Sequence, residues 1–176
     1  MANAPSVLLE SLLDSADDGE FDQRLRLHGP IKDSELPMLI EKSRSANGRT
    51  RRNATALLLL SRSTEAEAAL EKIAVHTSDA VQYAIAVGGL LDNPRLASLV
   101  RPELLNAAVS SGDPEVLTNA LAVAAKTKQP GIEVAIEKAL SNPSTKVQQA
   151  ALRAANVINP TRFEPQLAAR PSLYRI

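Results

Sequence analysis

Few side chains in this 176-residue chain are of the kinds that do covalent or metal chemistry. It has no cysteine and two histidines, His28 and His76. The histidines lie far apart, with no paired acidic spacing beside either, so no metal site is expected. Neither belongs to a recognisable triad or His-Glu helix motif, and no Gly-rich phosphate loop occurs. Ser61-Arg62-Ser63 and Ser110-Ser111-Gly112 read as turns rather than nucleophiles. The motifs therefore point away from an enzyme, and they imply no cofactor. What remains is recognition chemistry. Arg44, Arg49, Arg51, Arg52 and Arg62 form the dense basic cluster of the chain. Arginine forks match phosphate and carboxylate alike. The cluster either meets an external anion or pairs with the chain's own acidic stretch, Asp14, Asp17, Asp18, Glu20 and Asp22.

Charge narrows the partner. Twenty basic and twenty acidic residues cancel, so no global field draws the chain to nucleic acid or to a membrane. Aromatics make up 2% of the residues (Phe21, Tyr83, Phe163 and Tyr174), which leaves almost no platform for stacking bases. Nucleic acid is thus an unfavoured partner, and another protein the expected one. Apolar stretches fall short of the ~20 residues that span a bilayer. The opening Met1-Ala2-Asn3-Ala4-Pro5 lacks a basic start followed by an apolar run, so the expected location is cytoplasmic.

The elements that position these groups announce themselves by repetition. A polar turn leads into a helix that begins Val-x-x-Ala or Val-x-x-x-Ala-Leu. It occurs at Thr77-Ser78-Asp79-Ala80-Val81, at Gly112-Asp113-Pro114-Glu115-Val116 and at Asn142-Pro143-Ser144-Thr145-Lys146-Val147, with a looser copy from Asn47-Gly48-Arg49. Val81 to Val116 is 35 residues and Val116 to Val147 is 31. A period of that size marks stacked helical units, none of which can bury its apolar face alone. Hydrophobic residues at 44% with so few aromatics require a core of Ala, Leu, Val and Ile, which suits closely spaced helices. No stretch alternates with a period of two, so no sheet is expected.

Residues 1–33 differ from the rest. Val7 to Leu13 reads as a short helix, followed by the acidic stretch and then Arg24, Arg26 and His28 before Gly29-Pro30. The segment is either a cap over the open end of the array or an acidic docking arm. From residue 34 to 176 the helices pair. Ser34 is a candidate cap before Leu36, and a second helix runs from Arg49 to Arg62. Thr64 caps the next, which ends near His76, and its partner spans Asp79 to Leu91. The third pair is interrupted at Arg101-Pro102, reaches Val109, and continues from Gly112 to about Lys126. Pro130 to Leu140 and Ser144 to Ile158 make the fourth pair, and Thr161 to Ala169 a short closing helix. Gly88-Gly89, inside a helical pattern, reads as close approach of a neighbouring helix, a ligand notch or a helix end.

The turn-to-helix phrase, above all Asp113-Pro114-Glu115-Val116, resembles the second helix of a HEAT repeat, and the bilin-lyase type of HEAT-like repeat fits about as well. Pro37, Pro102 and Pro165 sit as prolines do in the first helix of such units. The resemblance covers roughly residues 34 to 169. It implies an all-α, right-handed α-solenoid of about four HEAT-like helix pairs, whose second helices line a concave face. The basic residue that usually follows the Val is replaced by Gln82, Leu117 and Gln148; only the first copy keeps it, at Arg51 and Arg52. The implied face carries Arg49, Arg52 and Asn53 on the first unit, Gln82 and Tyr83 on the second, and Thr118 and Asn119 on the third. Gln148, Gln149, Arg153 and Asn156 complete it on the fourth. The implied function is non-enzymatic binding of one protein as an adaptor, inhibitor or immunity-type partner, with Tyr83 as anchor. The same resemblance admits a bilin or tetrapyrrole lyase or chaperone and a nucleic-acid-binding protein as alternatives.

Overall fold

The computed structural model describes residues 7–169. The start of the expected cap and the end of the expected repeat domain, Tyr174 included, lie outside the described residues. Among the described residues the chain is all-helical, without strands. It divides into two compact units, Met1–His76 and Thr77–Ile176. The expected capping segment therefore shares a unit with the helices that follow it.

The first unit contains α1 (Val7–Leu13), α2 (Asp18–His28), a 3-10 turn at Asp33–Glu35, α3 (Leu36–Lys42), α4 (Gly48–Ser61) and α5 (Thr64–His76). The acidic stretch, which shows little apolar periodicity, forms α2 because its ends are well supplied. Asp17 caps the first turn by accepting from the Glu20 amide, and the Glu20 carboxylate accepts from the Ala16 amide. Acids then sit at the positive end of the helix dipole, with Arg26 and His28 at the negative end. Helix α1 packs against α2 and α4, and α3 against α4 and α5. Leu9, Leu12, Leu36, Leu39, Leu57 and Leu58 fill this core. Each such side chain contributes about 1.5–3 kcal/mol on burial. Ser63, rather than Thr64, caps α5: its hydroxyl accepts from the Ala66 amide at 3.2 Å.

The second unit contains α6 (Ala80–Gly88), α7 (Leu96–Leu99), α8 (Pro102–Ala108), α9 (Pro114–Thr127), α10 (Glu133–Leu140), α11 (Thr145–Ile158) and α12 (Glu164–Ala169). Helices α6, α9 and α11 pack side by side. Helix α8 lies against α6 and α9, α10 against α11, and α12 against α11. Buried alanines, among them Ala84, Ala120, Ala124, Ala151 and Ala154, let these helices approach closely.

The recurring polar turn has a common geometry. The side chains of Asn47, Asp79 and Asp113 each accept from the amides two and three residues on, at 2.9 and 3.2 Å in all three copies. Each satisfies amides that a helix start leaves without partners. Ser144 stands at the fourth copy without a side-chain cap bond. There the Gln148 side chain braces the turn instead, donating to the Asn142 carbonyl at 2.7 Å.

The interruption at Arg101-Pro102 is also local chemistry. Proline disfavours helical backbone in the residue before it, and Arg101 is extended at φ −115, ψ 100. Gly88 marks a close helix approach: a Cβ there would lie 2.6 Å from Asn119 Cγ on α9. Among the described residues no helix is long and apolar enough to cross a membrane.

Candidate functional site

Three of the residues expected on an open face are buried in the units that carry them: Tyr83, Asn53 and Gln82. Their polar atoms face the protein's own backbone and turns. Breaking the helix before Pro102 leaves the Leu99 carbonyl and the Arg101 amide outside the helical ladder. The Tyr83 hydroxyl serves both, donating to the Leu99 carbonyl at 3.2 Å and accepting from the Arg101 amide at 2.7 Å. Burial pushes the Tyr83 pKa up, opposed by the Arg101 amide bond and the Arg101 charge. Tyr83 thus holds the α7–α8 corner and is not placed to anchor a partner.

Asn53 plays a similar part in the first unit. Its Nδ2 lies 3.2–3.3 Å from the carbonyls of Leu12, Leu13 and Ser15, at the end of α1 and just beyond it, where carbonyls run out of helical donors; the Leu12 carbonyl also accepts from the Ser15 amide. The Arg24 guanidinium donates to the Ser11 carbonyl just before them. Gln82 accepts from the Thr77 hydroxyl at 2.8 Å, tying α6 to its own turn. Large polar side chains near a helix start read as surface in sequence. Tyr83 and Asn53 are buried where nearby backbone groups need partners, and Gln82 where the Thr77 hydroxyl does.

The basic cluster divides. Arg52 pairs with Asp18 at 3.0 Å, and Arg51 donates to the Ser45 carbonyl at 2.8 Å. Arg44 and Arg49 are exposed near the start of α4. Arg62 follows the last residue of that 14-residue helix, about 20 Å along the axis at the usual rise. It cannot share an anion with the other arginines.

Besides Arg49, what stays open of the expected face is a smaller set in the second unit. Gln149, Arg153 and Asn156 stand at i, i+4 and i+7 on α11, which places them on one stripe. Arg153 and Asn156 are exposed and Gln149 is half-buried. Counted from the caps, Thr118 on α9 holds the position of Gln149 on α11, five residues after Asp113 and Ser144. Thr118 is half-buried, and its hydroxyl donates to the Pro114 carbonyl at 2.7 Å. Asn119 turns toward Gly88, and its Nδ2 is buried without a hydrogen-bond partner. Gln148 is committed to its turn.

The arrangement offers the Gln149 and Asn156 amides and the Arg153 guanidinium over an alanine-rich floor, a donor-rich surface for hydrogen bonding. His28, the histidine nearest the acidic stretch, faces the Glu35 carboxylate at 2.9 Å and the Gly29 carbonyl at 3.2 Å. Sequence reasoning did not locate a groove of about 350 Å³ between α8 and α10, lined by Asn106, Leu117, Lys138 and Asn142 among others. Its only sequence signal is the shortness of those two helices beside the 14-residue α9 and α11. No protein-family model matches this chain, and no curated protein or solved structure matches it either.

Proposed function

We propose that this chain is a non-enzymatic protein-binding module, a right-handed α-solenoid of HEAT-like helix pairs that receives one partner protein on its second-helix face. The observation that carries this reading is the side-by-side packing of α6, α9 and α11, together with the Gln149–Arg153–Asn156 stripe. Neither Gln149 nor Arg153 is committed to a bond within the described residues, so a partner need not displace an internal contact to reach them. A packed helical surface also loses little conformational freedom on binding, which favours affinity. Arginine is the residue type on this stripe that most often carries interface energy.

The test is capture of partners from host lysate by the intact chain, with nuclease-treated and untreated lysate in parallel, followed by affinity measurement on the captured protein. One stoichiometric protein that survives nuclease is expected. Its affinity should fall tenfold or more, about 1.4 kcal/mol, for Arg153→Glu. A partner lost with nuclease, or one bound equally by Arg153→Glu and Gln149→Ala, overturns the assignment of this face.

A further inference from the structure

The second unit has another surface, formed where α8 and α10 stand apart over α9. The groove between them is about 350 Å³, near the lower end for a ligand pocket. Leu117 of α9 and Ile132 are buried and form its floor, with Val109 and Ala135 on its sides. Gly131, at φ 83, makes the turn that brings the chain from α9 into α10 beside it. Val134 stands 59% exposed on the rim.

The polar lining is unbalanced. Lys138 is the one charged residue among its described lining, and its side chain forms no ion pair or hydrogen bond within the described residues. The carboxylates of the same helix do not offset it: Glu137 is bonded to Arg162 at 2.8 Å, and neither Glu137 nor Glu133 lines the groove. Ser111 and Asn142 use their side-chain oxygens to accept the Asp113 and Ser144 amides, which leaves the Ser111 O–H and the Asn142 NH₂ as donors. Such a lining asks for an occupant that brings acceptors and negative charge beside an apolar group. A free small carboxylate would need most of its surface enclosed. An open rim such as Val134's does not provide that enclosure, whereas a peptide gains further contacts beyond the groove.

We propose that the groove between α8 and α10 binds an extended acidic peptide segment of a partner protein, one apolar side chain on the Leu117–Ile132 floor and an adjacent carboxylate on Lys138. The surface is separate from the Gln149–Arg153–Asn156 stripe, so either can fail alone.

A random-peptide phage library panned against the intact chain tests it, with the selected peptides synthesised and their affinities measured. Peptides pairing a Leu, Ile or Val with an Asp or Glu one or two positions away are expected. Their binding should weaken at least tenfold for Ala135→Trp, which fills the groove, and for Lys138→Glu, a surface change that keeps the fold. Arg153→Glu should bind them as the parent does. Failure to enrich any peptide, enrichment without acidic residues, or undiminished binding to Lys138→Glu overturns the proposal.

Discussion

The residue whose role changes most between sequence and structure is Tyr83. As an exposed aromatic it would be a binding hot spot; buried, it satisfies two backbone groups at the Arg101-Pro102 break. Tyr83→Phe keeps the ring and removes the hydroxyl, leaving the Arg101 amide and the Leu99 carbonyl to be re-solvated. Destabilisation of about 1–3 kcal/mol in urea unfolding is expected, the range for a buried group losing its partner. The pH dependence has a definite sign. Burial raises the folded-state pKa of Tyr83 above the unfolded value near 10, so the unfolded chain releases this proton first. The stabilisation is full below about pH 10 and is lost as pH rises through the folded pKa. Between about pH 9 and pH 11 the parent should therefore lose more stability than Tyr83→Phe. Parallel losses in the two proteins would show that Tyr83 does not titrate against folding.

At the scale of the element, the packing of α6 on α9 turns on one glycine. Gly→Ala inside a helix ordinarily gains about 0.5–1 kcal/mol. At Gly88 the new methyl would lie 2.6–2.9 Å from three atoms of Asn119, so the sign should invert. Gly88→Ala is expected to destabilise by about 1–3 kcal/mol, the usual range for overpacking. Asn119→Ala removes the Cγ and Oδ1 contacts and an amide with no partner but keeps Cβ, 2.9 Å from the new methyl, so Gly88→Ala should still destabilise in that background, by less than in the parent. A double-mutant cycle in urea measures this, and additive effects would mean that the two residues do not meet.

The sequence made much of this scale legible. Asn47, Asp79 and Asp113 announced helix starts because capping is local: it depends on a side chain and two amides within three residues. Pro102 announced a break for the same reason. Helix α2 was harder to read because its stability comes from charge placement and capping rather than from an apolar stripe. The fates of Tyr83 and Asn53 were not legible at all. Their bonding partners lie 16–18 and 38–41 residues away, at positions that only the folded chain brings near. Of the residues expected on the face, Arg49, Arg153 and Asn156 are exposed, at positions where helical spacing alone decides exposure.

At the scale of the whole molecule, the division at His76 and Thr77 gives each unit a core of its own. Leu12 and Leu57 are fully buried in one, Val116 and Leu121 in the other. A lesion in a packed core is felt first by the side chains that touch it, so its effect on local opening should follow these boundaries. Asn53→Ala removes the side-chain donor that faces the Leu12, Leu13 and Ser15 carbonyls, at a cost of about 1–3 kcal/mol. Leu121→Ala opens a cavity in the middle helix of the α6–α9–α11 row, at about 2–5 kcal/mol. Native-state hydrogen exchange read by mass spectrometry distinguishes the two. Asn53→Ala should speed exchange in α1 and α4 while α9 and α11 keep parental protection, and Leu121→Ala should do the reverse. The distinction bears on function, because the Arg153 stripe and the α8–α10 groove both belong to the second unit. If exchange divides in this way, Asn53→Ala should leave binding at both surfaces intact despite its loss of stability. If protection falls across both units in either variant, the chain opens cooperatively, and binding effects of first-unit mutations would have to be corrected for global unfolding.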